Sequence, residues 1–233
     1  MAANYDSDCA ELSTADAVAL IVNCLSKLAN KGRALEFGIG TGRIALPLSQ
    51  NGIEVHGIDL SPDMIAELKA KPGGENVACA VGDFSATRLG EEFQVVYLVF
   101  NTIMNLTTQE DQVACFRNAA AHLVPRGRFV IECVLPELQR LPFGETLRPL
   151  YFREDGWGVD EYDVANQGLI SHHINVRNGE VDRLSIPFRY AFPAEFDLMA
   201  NLAGLGFEAR YQDWNGGEFN SRSTKHVSIY RKG

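Results

Sequence analysis

The sequence predicts an α/β fold, a doubly wound parallel sheet with helices on both faces and an inserted antiparallel β extension. Up to residue 135, short β-branched segments alternate with helical apolar stripes, which is typical of parallel strands joined by right-handed crossovers. A glycine-rich turn with Gly38, Gly40 and Gly42 separates the first predicted strand from the helix after it. From residue 136 to residue 190, short alternating segments with turn signals replace the helical pattern.

The predicted elements of the first part follow each other closely along the chain. A helix over 12–28, with Ser13 or Thr14 as its cap, precedes the first strand. The predicted strands are 33–37, 53–59, 76–80, 93–100 and 128–134. The predicted helices are 42–50, a helix capped by Ser61 that runs to about residue 70, and 108–123.

The sequence from residue 136 onward predicts four antiparallel strands, followed by a helix and two strands that belong to the main domain. The four strands are 147–153, 158–164, 169–176 and 181–190, and Asn178-Gly179 is a hairpin signal between the last two. A helix begins at Pro193, and two final strands cover 207–211 and 226–231. From this helix and the strand after it, we expect the following side chains in the core: Phe196, Met199, Leu202 and Leu205. We expect residues 1–135 and 191–233 to form the main domain, with residues 136–190 as a substrate lid or a homodimer surface.

Composition limits the classes of function. The 233 residues, 46% of them hydrophobic, suffice for one good core. The formal net charge of −9 comes without a cluster of Lys and Arg, which argues against nucleic acids and anionic membranes as partners. No apolar run approaches the roughly 18 residues of a membrane helix, and the acidic start is unlike a secretory signal. The five scattered cysteines indicate reduced thiols, no zinc site and a cytoplasmic protein.

Several polar and aromatic residues follow the predicted parallel strands. Asp59 ends the second strand, about 20 residues beyond the glycines, where a carboxylate can bind the hydroxyls of a ribose. Asp83 and Phe84 follow the third strand, and Asn101 follows the fourth. Because ligands of open parallel sheets bind beyond the carboxyl ends of the strands, we expect these residues at one site.

The glycine turn does not have the spacing of a dinucleotide site. Its pattern is Glu36-x-Gly38-x-Gly40-x-Gly42 rather than Gly-x-Gly-x-x-Gly, and no P-loop lysine follows. An acid before the glycines suits a ligand with an ammonium or sulfonium group and would repel a diphosphate.

The segment Glu-Phe-Gly-Ile-Gly-Thr-Gly at 36–42 resembles motif I of class I S-adenosylmethionine-dependent methyltransferases. The resemblance continues through 57–64, 82–84, 93–101 and 123–129, and covers residues 33 to about 134. It implies S-adenosylmethionine as the cofactor and a Rossmann-like, seven-stranded sheet whose last strand is antiparallel. The cofactor contacts that we predict from motif positions and their neighbours are Glu36, Gly38, Gly40, Gly42, Asp59, Leu60, Met64, Asp83, Phe84 and Asn101.

The segment 188–199 resembles a bacterial subgroup of this family, which includes sugar N-methyltransferases of antibiotic pathways. The subgroup carries a β extension and implies methyl transfer to O, N or C of a small molecule, such as a secondary metabolite or sugar. The chain departs from the Asn-Pro-Pro-Tyr pattern of enzymes that act on amides or bases, since Asn101 is followed by Thr102-Ile103. We therefore expect Asn101 to be a wall residue near the reacting methyl group.

Candidates for catalysis and substrate binding lie mainly outside the motifs. His172 and His173 lie on one predicted strand with side chains on opposite faces, and His172 shares its face with apolar residues. Either is a candidate general base, and a purely structural role for both remains open. The predicted substrate contacts are Asn105, Glu132, Arg189 and Tyr190.

Three functions remain open on the sequence. The first is a small-molecule methyltransferase that needs no metal. The second is a methyltransferase for protein or nucleic acid, of which the acidic composition disfavours nucleic acid. The third is a protein that binds S-adenosylmethionine without methylating, as a cyclase-like or regulatory module.

Overall fold

The computed structural model describes residues 14–177 and 179–233. Ser13, Cys9 and the Asn178 of the hairpin signal lie outside this description. The strands, in chain order, are β1 (Ala34–Phe37), β2 (Val55–Asp59), β3 (Ala78–Val81), β4 (Phe93–Leu98), β5 (Leu123–Val134), β6 (Leu147–Arg153), β7 (Gly156–Asp163), β8 (Gly168–Arg177), β9 (Glu180–Arg189), β10 (Leu205–Tyr211) and β11 (Lys225–Lys232). The helices are α1 (Ala15–Ala29), α2 (Ala45–Gln50), α3 (Pro62–Ala70), α4 (Gln109–His122) and α5 (Pro193–Leu202).

The main sheet has seven strands in the order β10-β11-β5-β4-β1-β2-β3. Strands β1 to β5 pair in parallel, and β11 pairs antiparallel with both β5 and β10. The predicted fold class is therefore confirmed, including the antiparallel last strand. The order reverses between β1 and β4, and such a switch point opens a crevice at the carboxyl ends of the strands.

Polar side chains cap the start of three helices, and two of these caps, Thr14 and Ser61, are as predicted. The oxygens of Thr14, Ser61 and Thr108 each accept a hydrogen bond from a backbone N–H in the first turn, at 3.3, 3.3 and 3.1 Å. Helix α2 begins three residues later than the predicted 42, because Gly42 has a φ of +81° and still belongs to the turn. In the part of the chain that the structure describes, no helix is long and apolar enough to cross a membrane.

Apolar side chains fill both faces of the main sheet. Phe196 and Met199 of α5 are buried, as predicted, and Leu205 is buried within β10. The prediction for Leu202 is wrong, because its side chain is 61% exposed at the end of α5. That helix buries the face with 196, 199 and 200, and position 202 lies off this face.

Strands β6 to β9 form a separate four-stranded antiparallel sheet, which we call the extension. It packs on the main sheet, since Tyr162, Leu169 and Tyr190 belong to the same hydrophobic cluster as Phe37 and Phe129. The inner face of the extension consists of side chains turned toward the main sheet, including Asp160, Tyr162, Leu169, Ser171, Leu184 and Ile186. The domain boundaries at 136 and 190 and the lid role stay predictions.

Candidate active site

The glycine turn is held against the end of β2 by hydrogen bonds that its backbone N–H groups donate to a carbonyl and to a carboxylate. The N–H of Gly38 donates to the carbonyl of Ile58 at 2.8 Å, and the N–H of Gly40 donates to Asp59 Oδ2 at 2.7 Å. Gly38, Gly40 and Gly42 have φ values of +71°, +54° and +81°. Glycine is the residue that adopts this left-handed region without strain, so the turn depends on all three.

The three glycines nevertheless face different surroundings. A Cβ at Gly38 would lie 2.5 Å from Thr102 Cγ2, and a Cβ at Gly42 would lie 2.8 Å from Leu68 Cγ. A Cβ at Gly40 would meet no protein atom within 4 Å. Gly38 and Gly42 thus allow tight packing, whereas Gly40 presents bare backbone to open space. We call this space the loop groove, and its lining includes Glu36, Gly38, Gly40, Arg43, Phe100 and Thr102.

Glu36 is a buried acid at the end of β1, only 3% exposed. The hydroxyl of Tyr97 donates to Glu36 Oε2 at 3.0 Å. Burial raises the pKa of Glu36 to about 8, although Tyr97, Arg43 and the backbone of Ala45 act in the opposite direction. The carboxyl is therefore ready to ionise when a cation comes to lie beside it.

Asp59 stands at the end of β2, as predicted, but already has two backbone partners. Besides the N–H of Gly40, it accepts the N–H of Ser61 on Oδ1 at 2.9 Å. Leu60 beside it is 73% exposed, and Met64 is half-buried in the first turn of α3. Asp59 therefore fixes the distance between the glycine turn and the start of α3.

Asp83 and Phe84 lie in the turn after β3, at the same edge of the sheet. Asp83 is exposed and accepts the N–H of Ser85 at 2.7 Å. The ring of Phe84 is buried and stacks on Phe37, with 5.8 Å between the ring centroids. Any contact of Phe84 with a ligand in the loop groove would have to involve its backbone or the rim of its ring.

The chain after β4 is strained. Phe100 and Asn101 are adjacent non-glycine residues with φ values of +54° and +64°, which costs about 1–3 kcal/mol for each residue. Glu132 of β5 accepts the N–H of Phe100 on Oε2 at 3.2 Å, and Asn101 Oδ1 accepts the N–H of Val134 at 2.8 Å. The guanidinium of Arg43 covers the Phe100 ring at 4.1 Å. The neighbouring strand thus holds a conformation that the sequence alone would avoid.

A cavity of about 830 Å³ lies between the carboxyl edge of the main sheet and the inner face of the extension. We call it the inter-sheet cavity. Phe100 and Thr102 line both this cavity and the loop groove, so the two spaces adjoin. Of the predicted site residues, Asn101, Asn105 and Tyr190 line the cavity.

The other two predicted substrate contacts, Glu132 and Arg189, do not line the inter-sheet cavity. Glu132 supports the backbone of Phe100 and pairs with Lys225 Nζ at 3.3 Å. Arg189 is 5% exposed and donates to Gln112, Gln167 and Glu195 at 2.6, 3.0 and 2.7 Å. Arg189 therefore joins β9 to α4 and α5, and its predicted contact with substrate has no support in this geometry.

The two histidines lie on opposite faces of β8, as predicted. His172 contacts Ser185 Oγ at 2.8 Å and Glu161 Oε2 at 3.2 Å on the outer face. His172 shares this face with Ile170 and Val176, as predicted, but these side chains are 39% and 43% exposed, so the face is open to solvent and not buried among apolar groups. This face turns away from the main sheet.

His173 lies on the inner face but has its own partners. Its Nε2 lies 3.0 Å from Ser171 Oγ and its Nδ1 lies 3.1 Å from the hydroxyl of Tyr151. Burial lowers the pKa of His173, so the ring is neutral at pH 7. Of these two histidine contacts, Ser171 is the one that lines the inter-sheet cavity. Thus His173 would reach the cavity through Ser171.

Sequence reasoning missed Asp160, Tyr162 and Ser171, which line the cavity. On β7, Asp160 and Tyr162 share a face with Gly156 and Gly158, and this face is buried. The alternation of residue types along β7 was visible in the sequence. It did not show which face would be buried, because one face carries two glycines and an acid.

Fold and site together define a doubly wound α/β protein with a glycine turn at the switch point of its sheet, the place where proteins of this class bind their ligands. Residues 34–127 match a family profile described as a methyltransferase domain. The structure of the CcbJ methyltransferase from Streptomyces caelestis is 36% identical, with a TM-score of 0.84 over 93% of this chain and 89% of that one. The cypemycin N-terminal methyltransferase of a Streptomyces species is 27% identical over 85% of this chain and 82% of its own length. CalS10 from Micromonospora echinaspora, described as an amino pentose methyltransferase, shares the fold at 20% identity, with a TM-score of 0.72 over 98% of this chain and 96% of that one.

The chain therefore belongs to the class I S-adenosylmethionine-dependent methyltransferases, in the bacterial natural-product group that contains these relatives, and S-adenosylmethionine is its cofactor.

The residues of the loop groove fit this cofactor. The open space over Gly40 would be filled by any Cβ, and it is the place where the backbone can approach a ligand closely. The buried Glu36, whose raised pKa of about 8 keeps it protonated at neutral pH, would ionise and supply a negative charge when a ligand with ammonium and sulfonium groups lies beside it. Asp59 does not line the groove itself but anchors its edge through the N–H of Gly40, and its predicted contact with a ribose stays a prediction.

Proposed function

We propose that this chain transfers a methyl group from S-adenosylmethionine to O, N or C of a small molecule, a secondary metabolite or sugar, bound in the inter-sheet cavity. The observation that carries the proposal is the shared wall of Phe100 and Thr102, which joins the cavity to the loop groove. The cavity volume of about 830 Å³ also suits such a ligand, since small-molecule sites measure about 300–1,000 Å³.

The residues of the chain would bind the cofactor, orient the acceptor and shield both from water. S-adenosylmethionine supplies a methyl group on a positively charged sulfur, so the protein has to align a nucleophile with it and receive any proton released. Glu36, Gly40 and Asp59 would hold the cofactor at the switch point. Asn101, carried by the strained turn after β4, would form the wall between the two ligands. The extension would exclude water from the cavity.

The names of two relatives support a small acceptor. CalS10 is described as an amino pentose methyltransferase involved in calicheamicin biosynthesis. The cypemycin enzyme is named for an N-terminal methyl transfer, which supports nitrogen as the acceptor atom without bearing on the size of the acceptor. A third relative, from Streptomyces venezuelae, is named an amino sugar N,N-dimethyltransferase and is 27% identical over 69% of this chain and 62% of its own length. A cytoplasmic location and a homodimer through the extension are part of this proposal.

Incubation with methyl-labelled S-adenosylmethionine and a bacterial metabolite extract, followed by separation by size, tests the proposal. We expect label in the small-molecule fraction. Label only in protein or nucleic acid would favour a macromolecular acceptor. Tight cofactor binding without transfer to any fraction would favour a protein that does not methylate.

A further inference from the structure

We propose that Asp160 recognises a positively charged nitrogen on the methyl acceptor, so that the acceptor is a basic amine. The inference rests on the proposed function, because it assigns a substrate class to the same cavity.

Asp160 is a buried acid with an unused oxygen. Its residue is 7% exposed, it lies in the middle of β7, and it lines the inter-sheet cavity. Among the described residues, no group donates a hydrogen bond to Asp160 Oδ1. Burying a carboxylate is costly unless it is paired or hydrogen-bonded. A ligand with a positively charged nitrogen would supply the missing partner.

The other charged residues that line the cavity already form ion pairs. Arg148 pairs with Glu137, and Lys225 pairs with Glu132 at 3.3 Å. The two cations of the cavity wall are thus matched by two acids. Arg148 also lies opposite Asp160 in the register of β6 and β7, but it is paired with Glu137, so Asp160 adds a third negative charge to two positive ones. A cationic ligand would balance this charge, whereas an anionic ligand would be repelled by it.

Aromatic side chains complete the surroundings of such a cation. The rings of Tyr162 and Tyr190 lie 5.8 Å apart, are tilted by 58°, and both line the cavity. Tyr162 and Asp160 lie on the same face of β7. The hydroxyl of Tyr190 is buried and likewise has no hydrogen-bond partner among the described residues. Ring faces attract ammonium groups with or without N–H, and the lone pairs of the hydroxyl oxygen can face the same charge.

A matched pair of probes tests the recognition of charge without any turnover. Choline and its uncharged carbon analogue 3,3-dimethylbutan-1-ol have nearly the same shape, and their binding can be measured by ligand-observed NMR with S-adenosylhomocysteine present. We expect choline to bind at least tenfold more tightly than the alcohol. Equal affinity of the two probes, or no binding of either, would overturn the proposal.

Two variants test whether the preference for choline depends on Asp160. Asp160→Asn keeps the size of the side chain and should remove most of the preference for choline, with alcohol binding unchanged. Asp182→Asn on the exposed part of β9 changes the charge of the extension equally and should leave the preference intact. An Asp160→Asn protein that binds S-adenosylhomocysteine normally and still prefers choline would refute the role of Asp160.

The outcome separates this inference from the proposed function. A choline preference that depends on Asp160, together with no methyl transfer to small molecules, would leave the cation site standing and refute the enzyme's proposed acceptor class. Methyl transfer to neutral small molecules, together with equal binding of the two probes, would refute the cation site alone.

Discussion

The loop groove and the inter-sheet cavity adjoin each other but are built in different ways. In the groove the backbone defines the surface, with the turn fixed by the N–H groups of Gly38 and Gly40 and an open space over Gly40. In the cavity, side chains from several strands of the extension define the surface, among them Asp160, Tyr162 and Ser171.

This difference separates what is common to the family from what belongs to this chain. A backbone surface needs glycines at fixed positions, so it restricts the sequence and is easily recognised. A side-chain surface on antiparallel strands can change residue by residue without changing the fold. The comparison predicts that changes in the groove abolish cofactor binding, whereas changes in the cavity alter the choice of acceptor.

The largest effect is expected at Gly40. A valine there would occupy the open space over the turn, so Gly40→Val should bind no detectable S-adenosylhomocysteine in isothermal titration calorimetry. Gly52 provides the control, since it also has a positive φ, +83°, and a Cβ there would meet no atom within 4 Å. Both variants bear a strain of roughly 1–2 kcal/mol, but Gly52→Val should bind normally. Normal binding by Gly40→Val would disprove close approach of the cofactor to the turn.

A smaller loss is expected at Asp59. Asp59→Ala removes the charged acceptor for the ribose and the anchor of the Gly40 N–H, which should cost about 1.5–3 kcal/mol of cofactor binding, or roughly ten- to a hundredfold in affinity. Asp63→Ala, in the first turn of α3, is the control that also removes a nearby acid. Equal affinities of wild type and Asp59→Ala would remove Asp59 from the site.

Glu36 should make cofactor binding depend on pH. Its pKa of about 8 lies above the usual 4.5, so the folded chain holds this proton more tightly than the unfolded chain. Relative to Glu36→Gln, the free energy of unfolding should therefore fall as the pH rises from about 4.5 to about 8 and level off above that. A cationic cofactor binds the ionised form, so the affinity of wild type should rise over the upper part of the same range.

Titration calorimetry with S-adenosylmethionine between pH 6 and pH 9 measures this dependence. Glu36→Gln is the reference for the ligand's own titration, because the ligand is the same in both series. Parallel curves for wild type and variant would show that Glu36 does not ionise on binding.

The smallest effects are expected at the histidines. His172 faces outward and His173 reaches the cavity through Ser171, so we expect His172→Ala to change methyl transfer less than twofold and His173→Ala by a few-fold. Steady-state rates with an identified acceptor measure both. A loss of a hundredfold or more in His173→Ala alone would make His173 the general base, and the cavity would then be a catalytic surface as well as a binding surface.

The sequence predicts the glycine turn and the strand ends beside it because their chemistry is local. Glu36, the three glycines and Asp59 lie within 24 consecutive residues, and both strand ends follow from hydrophobic patterns. The start of β5 was harder to place. The strand begins at Leu123 rather than at 128, because it continues through the turn-forming Pro125 and through Arg126, which has a φ of +65°.

The cavity could not be predicted in the same way. The alternating residues of β8 define two faces, and an apolar face would ordinarily be the buried one. In the structure, however, the apolar Ile170 and Val176 face outward and the polar Ser171 faces inward. Arg189 resembled a pocket residue by position, yet two of its three partners, Gln112 and Gln167, come from segments 77 and 22 residues away in sequence. Which face of a strand is inside depends on how the second sheet docks, and this information is spread over the whole chain.

A crystal structure of the protein with S-adenosylhomocysteine tests the central claim most directly. We predict that the cofactor lies over Gly40 with its sulfur at the wall formed by Phe100 and Thr102, pointing into the inter-sheet cavity. A sulfur that points away from this cavity, or a cofactor bound elsewhere, would contradict the account.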